Sequence, residues 1–188
     1  MIILETDRLI LRRWKDSDRN LFREINADPK VMQFFPFRRT YEEADLMMDR
    51  VNRLIDETGL CFYAVELKET EEPIGFCGLS DAMMPDILAE GTIEIGWRLA
   101  TRFWGHGYAT EAARGLLGYG FEAKGLNEIV SFAVATNHRS TAVMQRLGMI
   151  RDLNGDFDHP RVPDTHPHLK PHVLYRMTKQ LWASQHIT

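Results

Sequence analysis

The sequence predicts a mixed α/β fold in which helices pack on one layer of sheet. Three observations carry that prediction. Short runs rich in β-branched and aromatic residues alternate with segments of helical apolar spacing. Near the middle, the strand-like stretch Gly91-Thr92-Ile93-Glu94-Ile95-Gly96-Trp97-Arg98-Leu99 leads through a glycine turn into an alanine-rich helix. At 188 residues, the chain suits one domain, 1–188, with a sizeable core.

Each element has its own signal. Arg8-Leu9-Ile10-Leu11-Arg12 reads as a short strand. Asp16-Ser17-Asp18 marks a helix start, with Leu21, Phe22 and Ile25 on one face. Pro29 and Pro36 bracket an irregular aromatic patch, Met32-Gln33-Phe34-Phe35. Thr40 opens a longer helix, and Glu43 completes a capping box. Ala44, Met47, Met48, Val51, Leu54 and Ile55 keep helical spacing, and Gly59 ends the run. The stretches 62–67 and 73–79 flank Lys68-Glu69-Thr70-Glu71-Glu72 and read as a β-hairpin. After the glycine turn, Ala109, Ala112, Ala113, Leu116, Leu117 and Gly120 share one helix face, small enough to lie close to a sheet, and Gly125 stops that helix. Residues 129–135 form a further strand, followed by a helix from about His138 to Leu147 with Gly148 as its cap. Residues 152–170, rich in Asp, His and Pro, read as an irregular loop, and His172-Val173-Leu174-Tyr175-Arg176-Met177 as the final strand. The predicted order is β-α-α-β-β-β-α-β-α-β-β.

The bulk composition narrows the function. Hydrophobic content of 44% and charged content of 27% are those of an ordinary globular domain. A net charge of -4 gives no basic footprint for nucleic acid. No apolar run approaches the roughly 18 residues that span a bilayer, so no membrane partner is expected. The opening Met1-Ile2-Ile3-Leu4-Glu5-Thr6 lacks the character of a signal peptide. Cys61 and Cys77 are expected as reduced thiols, which fits a cytoplasmic location.

The chemistry gathers at Trp104-Gly105-His106-Gly107-Tyr108-Ala109-Thr110-Glu111-Ala112. Its glycines let backbone N–H groups approach an anion, and the new helix turns its positive end toward it. A nucleotide-bearing cofactor fits this turn, and so does a plain strand–helix connection. No Gly-Lys-Ser/Thr follows, so it is not a P-loop, and Thr110 stands where a dinucleotide fingerprint has its third glycine. About thirty residues on lie Asn137-His138-Arg139-Ser140 and then Leu147-Gly148-Met149.

This pair of motifs resembles the GNAT superfamily of acetyl-CoA-dependent N-acetyltransferases. It looks most like the branch that holds the ribosomal-protein alanine N-acetyltransferases. The likeness includes the opening Glu5-Thr6-Asp7-Arg8-Leu9-Ile10-Leu11-Arg12 and the strand Ile95-Gly96-Trp97, and it runs along nearly the whole chain. The resemblance implies one GNAT-like domain. Its central, mostly antiparallel, twisted sheet would have about six or seven strands, with helices on both faces. It also implies acetyl-CoA as the acetyl donor, a primary amine as acceptor, no metal, and a monomer or homodimer.

The resemblance further implies site residues. The superfamily pattern Gln/Arg-x-x-Gly-x-Gly/Ala fits Arg102-x-x-Gly105-x-Gly107 letter for letter. It also fits Trp104-x-x-Gly107-x-Ala109, the register this branch commonly uses. The N–H groups of Trp104, Gly105, His106, Gly107, Tyr108 and Ala109 would hold the pyrophosphate, helped by the Thr110 hydroxyl. Leu99, Ala100 and Thr101 would pair with the pantetheine amides. The Leu99 N–H would polarise the acetyl carbonyl. Asn137 would meet the cofactor, with helix capping as its rival role. Met144 stands where many members carry a proton-donating Tyr, and Met cannot donate a proton. Ser140 is then the candidate acid, or it satisfies its own helix turn.

An amine acceptor must lose a proton before it attacks, since an alkylammonium titrates near 10. Glu94 is the first candidate base, acting through a water, because alternation with Ile93 and Ile95 turns it from the apolar face. Asp158 and His159 are second candidates. His159, His166, His168 and His172 crowd the late loop, but neither HExxH nor paired cysteines accompany them, so no metal is expected. The patch Phe34-Phe35-Pro36-Phe37 falls where the superfamily commonly builds one wall of the acceptor site; core packing is the other reading. Neither Cys61 nor Cys77 is placed for an acetyl-enzyme, so direct attack in a ternary complex is expected, on a protein N-terminus or a small-molecule amine. The alternative is a non-catalytic acyl-CoA-binding sensor or regulatory module, to which the absent Tyr would be no loss.

Overall fold

A computed structural model describes residues 1–185 of the chain. The described residues hold eight strands and five α-helices, so there is more sheet than the sequence suggests. The chain divides into two compact units. One comprises Met1–Ser80 and Gly96–Leu116, the other Asp81–Ile95 and the chain from Leu117 on. No helix among the described residues is long and apolar enough to cross a membrane.

The first unit contains β1 (Ile2–Glu5), β2 (Leu9–Arg12), β3 (Phe62–Leu67) and β4 (Pro73–Asp81, up to Ser80). They pair in that order, each antiparallel to the next, with Leu4 opposite Leu11, Leu11 opposite Val65 and Ala64 opposite Phe76. β1 is the unforeseen strand. Helices α1 (Arg19–Ala27) and α2 (Tyr41–Thr58) supply Phe22, Ile25, Met48 and Ile55 to a core with Leu9, Leu11, Trp14, Tyr63 and Ile74. The capping box on α2 forms as expected: the Thr40 hydroxyl accepts from the Glu43 N–H, and Glu43 accepts from the Thr40 N–H. One charged group is buried here with its partners. Arg12 donates to Asp18 at 2.6 Å and to Glu66 at 2.6 Å, which neutralises a guanidinium that would otherwise be costly to desolvate.

The last four residues of β5 (Ile93–Leu99) also belong to this unit. Gly75 of β4 passes them at close range. A Cβ on Gly75 would lie 2.2 Å from the Arg98 carbonyl oxygen and 2.6 Å from Leu99 Cα, so only glycine allows the approach. Helix α3 (Tyr108–Gly118) begins in the same unit.

The second unit contains the first three residues of β5, then β6 (Glu128–Val134), β8 (Pro171–Thr178) and β7 (Ile150–Asp158) in spatial order. β5 and β6 run parallel, with Glu94 opposite Val130, and the Ser131 hydroxyl donates to the Ile95 carbonyl at 2.9 Å. β6–β8 and β8–β7 are antiparallel. Ala82, Met84, Leu88, Val130 and Leu174 form an apolar cluster, with Phe132 and Phe157 against it. β7 corrects the expected loop: residues 152–158 are strand, and only the segment beyond is irregular apart from a short 3-10 turn at Pro167–Leu169. α3 does not stop cleanly at Gly125. A π-helical turn, Tyr119–Ala123, continues it. α4 spans His138–Arg146 and α5 Lys179–Gln185.

Candidate active site

The glycine turn leads the chain into α3 through two bends. Gly105 and Gly107 sit at φ 83° and 80°, a left-handed backbone that side chains disfavour. The two bends turn the chain from the short 3-10 turn Thr101–Phe103 into α3. The Gly107 carbonyl accepts the N–H of Glu111 at 3.0 Å, the first bond of the helix. The N–H groups at the head of α3 therefore have no intrahelical acceptor. Gly105, His106 and Gly107 are exposed, and space beside Gly105 is open. A diphosphate fits a row of such donors at a helix N-terminus. Trp104 differs from its neighbours: its N–H donates to the Thr101 carbonyl at 3.2 Å, so the open row starts at Gly105.

Three residues strap the turn in place. The Thr6 hydroxyl donates to Glu111 Oε1 at 2.6 Å, and the Arg8 N–H donates to the same oxygen at 2.9 Å. Arg8 Nε and Nη2 reach Glu111 Oε2, both at 2.6 Å, and Nη1 donates to the His106 carbonyl at 3.2 Å. The Arg8 guanidinium also lies 4.7 Å over the Tyr108 ring, and Tyr108 stacks on His106. Burial opposes the charge on Glu111. The donors Thr6 and Arg8 outweigh it and hold the carboxyl below its usual range. Reasoning from the sequence gave Thr6, Arg8 and Glu111 no role, although both segments that carry them stood in the recognised pattern. Nothing local says that they meet.

The predicted pantetheine strand lies in the same unit. Leu99 and Ala100 are buried, and Thr101 is partly so. The Leu99 carbonyl accepts the Trp104 indole N–H at 2.8 Å, which pins the strand end to the turn. The Ala100 N–H is already spent on the Ile74 carbonyl at 3.0 Å.

Glu94 lies in the second unit, partly buried on β5. Desolvation pushes its carboxyl up to about 8; the positive charge of Arg161 opposes this and Asp81 reinforces it. Arg161 is held by donation to the Met83 carbonyl at 2.5 Å. Met83 is itself bent to φ 50°, with its N–H on Asp81 Oδ1 at 2.7 Å. Asp81 and Arg161 were not foreseen, because only the folded chain brings them near Glu94. A carboxyl at about 8 is well matched to proton transfer from an amine near neutral pH.

The other predicted residues of this unit fall into two groups. Asn137 caps α4, its Oδ1 accepting from the Ser140 N–H at 3.3 Å. The Ser140 hydroxyl makes no hydrogen bond among the described residues. Met144 is buried, 1% exposed. Asp158 is exposed at the end of β7. The His159 ring lies tilted against that of His172, centroids 4.8 Å apart, with Phe132 and Phe157 around them. Burial, helped by His172 and Arg161, pushes His159 down to about 4. Its ring is therefore neutral through the physiological range. Among the described residues no group of three or more His, Cys, Asp or Glu is placed to hold a metal ion. Cys61 and Cys77 are both buried, and burial raises the Cys77 thiol far above its ordinary range, which disarms it as a nucleophile. A cavity of about 430 Å³ lies in the first unit, lined by Met1, Ile10, Arg12, Trp14, Asn52 and Glu66 among others, and none of the predicted site residues faces it.

Residues 8–150 match the family model of the acetyltransferase (GNAT) domain. The N-acetyltransferase p20 of Bacillus licheniformis is 32% identical over 160 residues, covering 81% of this chain and 87% of that protein. An acetyltransferase of the GNAT family from Bacillus anthracis superposes with a TM-score of 0.79 at 24% identity, covering 96% of this chain and 99% of that one. RimL, a ribosomal L7/L12 α-N-protein acetyltransferase solved with coenzyme A, has the same fold, with a TM-score of 0.76 at 16% identity over 96% of this chain and 99% of its own. With a family match over most of its length and a relative 32% identical over four-fifths of it, the chain belongs to the GNAT family of acetyltransferases.

Proposed function

We propose that this protein transfers the acetyl group of acetyl-CoA to a primary amine, on a protein N-terminus or a small molecule, by direct attack while both substrates are bound. The observation that carries this reading is the row of N–H donors from Gly105 to Thr110, left open at the head of α3 and strapped by Arg8 and Glu111. These donors take the pyrophosphate. Leu99, Ala100 and Thr101 lie along the pantetheine arm, and the Leu99 N–H takes the charge that develops on the acetyl oxygen. Asn137 adds a polar contact to the cofactor.

Glu94 removes the ammonium proton through a water. An ammonium near 10 yields its proton far more readily to a carboxyl at about 8 than to one at 4.5. The amine nitrogen then bonds to the acetyl carbon, the carbon–sulfur bond breaks, the thiolate takes a proton from Ser140, and the Ser140 oxygen regains one from the surplus N–H of the newly formed amide. The uncommitted Ser140 hydroxyl and the buried Met144 support that assignment. The buried thiols and ordinary charge support action in the cytoplasm.

Met144 at the usual Tyr position also favours a second reading, a non-catalytic acyl-CoA-binding module. Two measurements separate the readings. Acetyl-CoA is titrated calorimetrically, and thiol release is then followed across a panel of amines. Binding with amine-dependent release supports transfer; binding without release supports the module. No binding removes both.

A further inference from the structure

Two arginines of the first unit are buried or nearly so, and they are treated in opposite ways. Arg12 has two carboxylates, Asp18 and Glu66, which raise its pKa. Arg98, on β5 next to Leu99, has none. Its one hydrogen bond is from Nη1 to the Oδ1 of Asn26, a neutral group that is 0% exposed, at 2.6 Å. The Arg98 guanidinium lies over two rings, 4.5 Å from the Phe35 centroid and 5.1 Å from that of Phe76. A flat guanidinium over a ring has its edge N–H groups left to offer, and it carries five. Asn26 uses one.

Arg39 joins it. The Arg39 N–H donates to the Asn26 carbonyl at 3.0 Å, so one buried residue tethers both arginines. The Arg39 guanidinium lies 5.0 Å over Phe37, and its Nε is buried with no hydrogen-bond partner. Among the described residues neither guanidinium forms an ion pair. Burial, and after it the charge of Arg39, pulls Arg98 down to about 9. Phe35 and Phe37, which cover the pair, are 41% and 47% exposed, so the patch opens to solvent. A fold that gives Arg12 two carboxylates leaves these two arginines short of a negative charge.

We propose that Arg98 and Arg39 form a carboxylate subsite, and that the acceptor is an amine that carries a carboxylate. A carboxylate presents two oxygens in the plane that guanidinium edges prefer, and it satisfies the orphaned Arg39 Nε–H. The carboxylate comes from one of two sources, the α-carboxylate of a free amino acid or an acidic side chain beside a peptide N-terminus. This subsite rests on the proposed transfer reaction for its acceptor, but not for its chemistry.

Paired acceptors test it. A free amino acid is compared with its amide, and the peptide Ala-Asp-Gly-amide with Ala-Asn-Gly-amide. Each is assayed with acetyl-CoA, and each is also titrated calorimetrically in the presence of CoA. One pair is expected to favour its carboxylate member by about tenfold or more in kcat/KM and in affinity. The pair that does so identifies the source. Arg39→Gln and Arg98→Gln should reduce that preference to about twofold or less while leaving the neutral member and acetyl-CoA affinity nearly unchanged. Arg39→Gln decides alone if Arg98→Gln fails to fold. A carboxylate preference in binding without turnover keeps the subsite and removes the transferase reading. Equal affinity for both members of both pairs, or a preference that survives Arg39→Gln, overturns the subsite and leaves the transferase reading intact.

Discussion

Arg8 and Glu111, 103 residues apart in sequence, meet in a charge-assisted pair at 2.6 Å that ties the turn between β1 and β2 to the head of α3. The pair is half open to water on the Arg8 side, so its direct contribution to stability is modest. Its larger consequence is positional. Arg8 also holds the His106 carbonyl and covers Tyr108, so it fixes the stretch that leads into the open N–H groups at the head of α3.

Arg8→Ala should therefore weaken acetyl-CoA binding more than it weakens the fold. Affinity is expected to fall about tenfold, with a stability loss of ~1 kcal/mol or less. Glu111→Gln should weaken binding similarly, and the double variant should add little to either, because all three disrupt one strap. Calorimetry and thermal denaturation of the four proteins check this. An unchanged acetyl-CoA affinity in Arg8→Ala would show that the strap does not order the cradle.

Gly107→Ala probes the cradle directly. At φ 80° a side chain costs ~1 kcal/mol in the turn, and a new Cβ would stand 3.6 Å from Arg8 Nη2. The expected result is about a tenfold or greater loss of acetyl-CoA affinity with the rest of the fold retained. Gly105→Ala bears the same strain with open space around it, so comparing the two separates backbone strain from the effect of the new contact with Arg8.

What could be read in the sequence was local. The Thr40–Glu43 box, the stop at Gly59 and the strand–Gly-x-Gly–helix run are decided within a few residues, and the structure has them. Two features escaped because their signals are weak. β1 is four residues long and mostly exposed, and β7 carries Arg151, Asp152 and Asp156 on a solvent-facing strand. β7 is held by antiparallel pairing to β8 and by Arg176 donating to Asp152, neither of which has an apolar signature. The site divides in the same way. Glu94 stands out by its alternation with Ile93 and Ile95 and the turn by its glycines, while Leu99 enters only through the resemblance to the family. The surroundings that tune them arise from long-range contacts, such as Thr6 and Arg8 on Glu111, Arg161 near Glu94 and Asn26 on Arg98.

The raised pKa of Glu94 gives two linked expectations. If Glu94 is the base, kcat/KM rises with pH through about 8, and Glu94→Gln lowers the rate by roughly 100-fold or more while flattening that limb. A limb unchanged in Glu94→Gln would reject the assignment. His159, held near 4, is already neutral there and would contribute no rise in that range. Stability follows the same titration. Below pH 4.5 Glu94 is neutral in both folded and unfolded chains. Between 4.5 and about 8 the unfolded chain ionises first, so the folded state loses stability as pH rises. Glu94→Gln never ionises. It should be more stable than the parent by ~2 kcal/mol above pH 8 and no more stable below pH 4.5, as denaturant titration at the two extremes can show.

Trp104 bears on the reacting end. Its indole N–H donates to the Leu99 carbonyl at 2.8 Å, while its backbone N–H closes the preceding turn on Thr101. One residue thus ties the end of β5 to the diphosphate turn. Trp104→Phe keeps the ring's bulk and the backbone bond but frees the Leu99 carbonyl. The peptide planes on either side of Leu99 then lose an anchor, and a misaimed N–H at Leu99 matters only when charge develops on the acetyl oxygen. The expected signature is a fall in kcat of about tenfold, with acetyl-CoA affinity within about threefold of the parent. A loss confined to acetyl-CoA affinity, with kcat intact, would instead assign Trp104 to shaping the cradle alone.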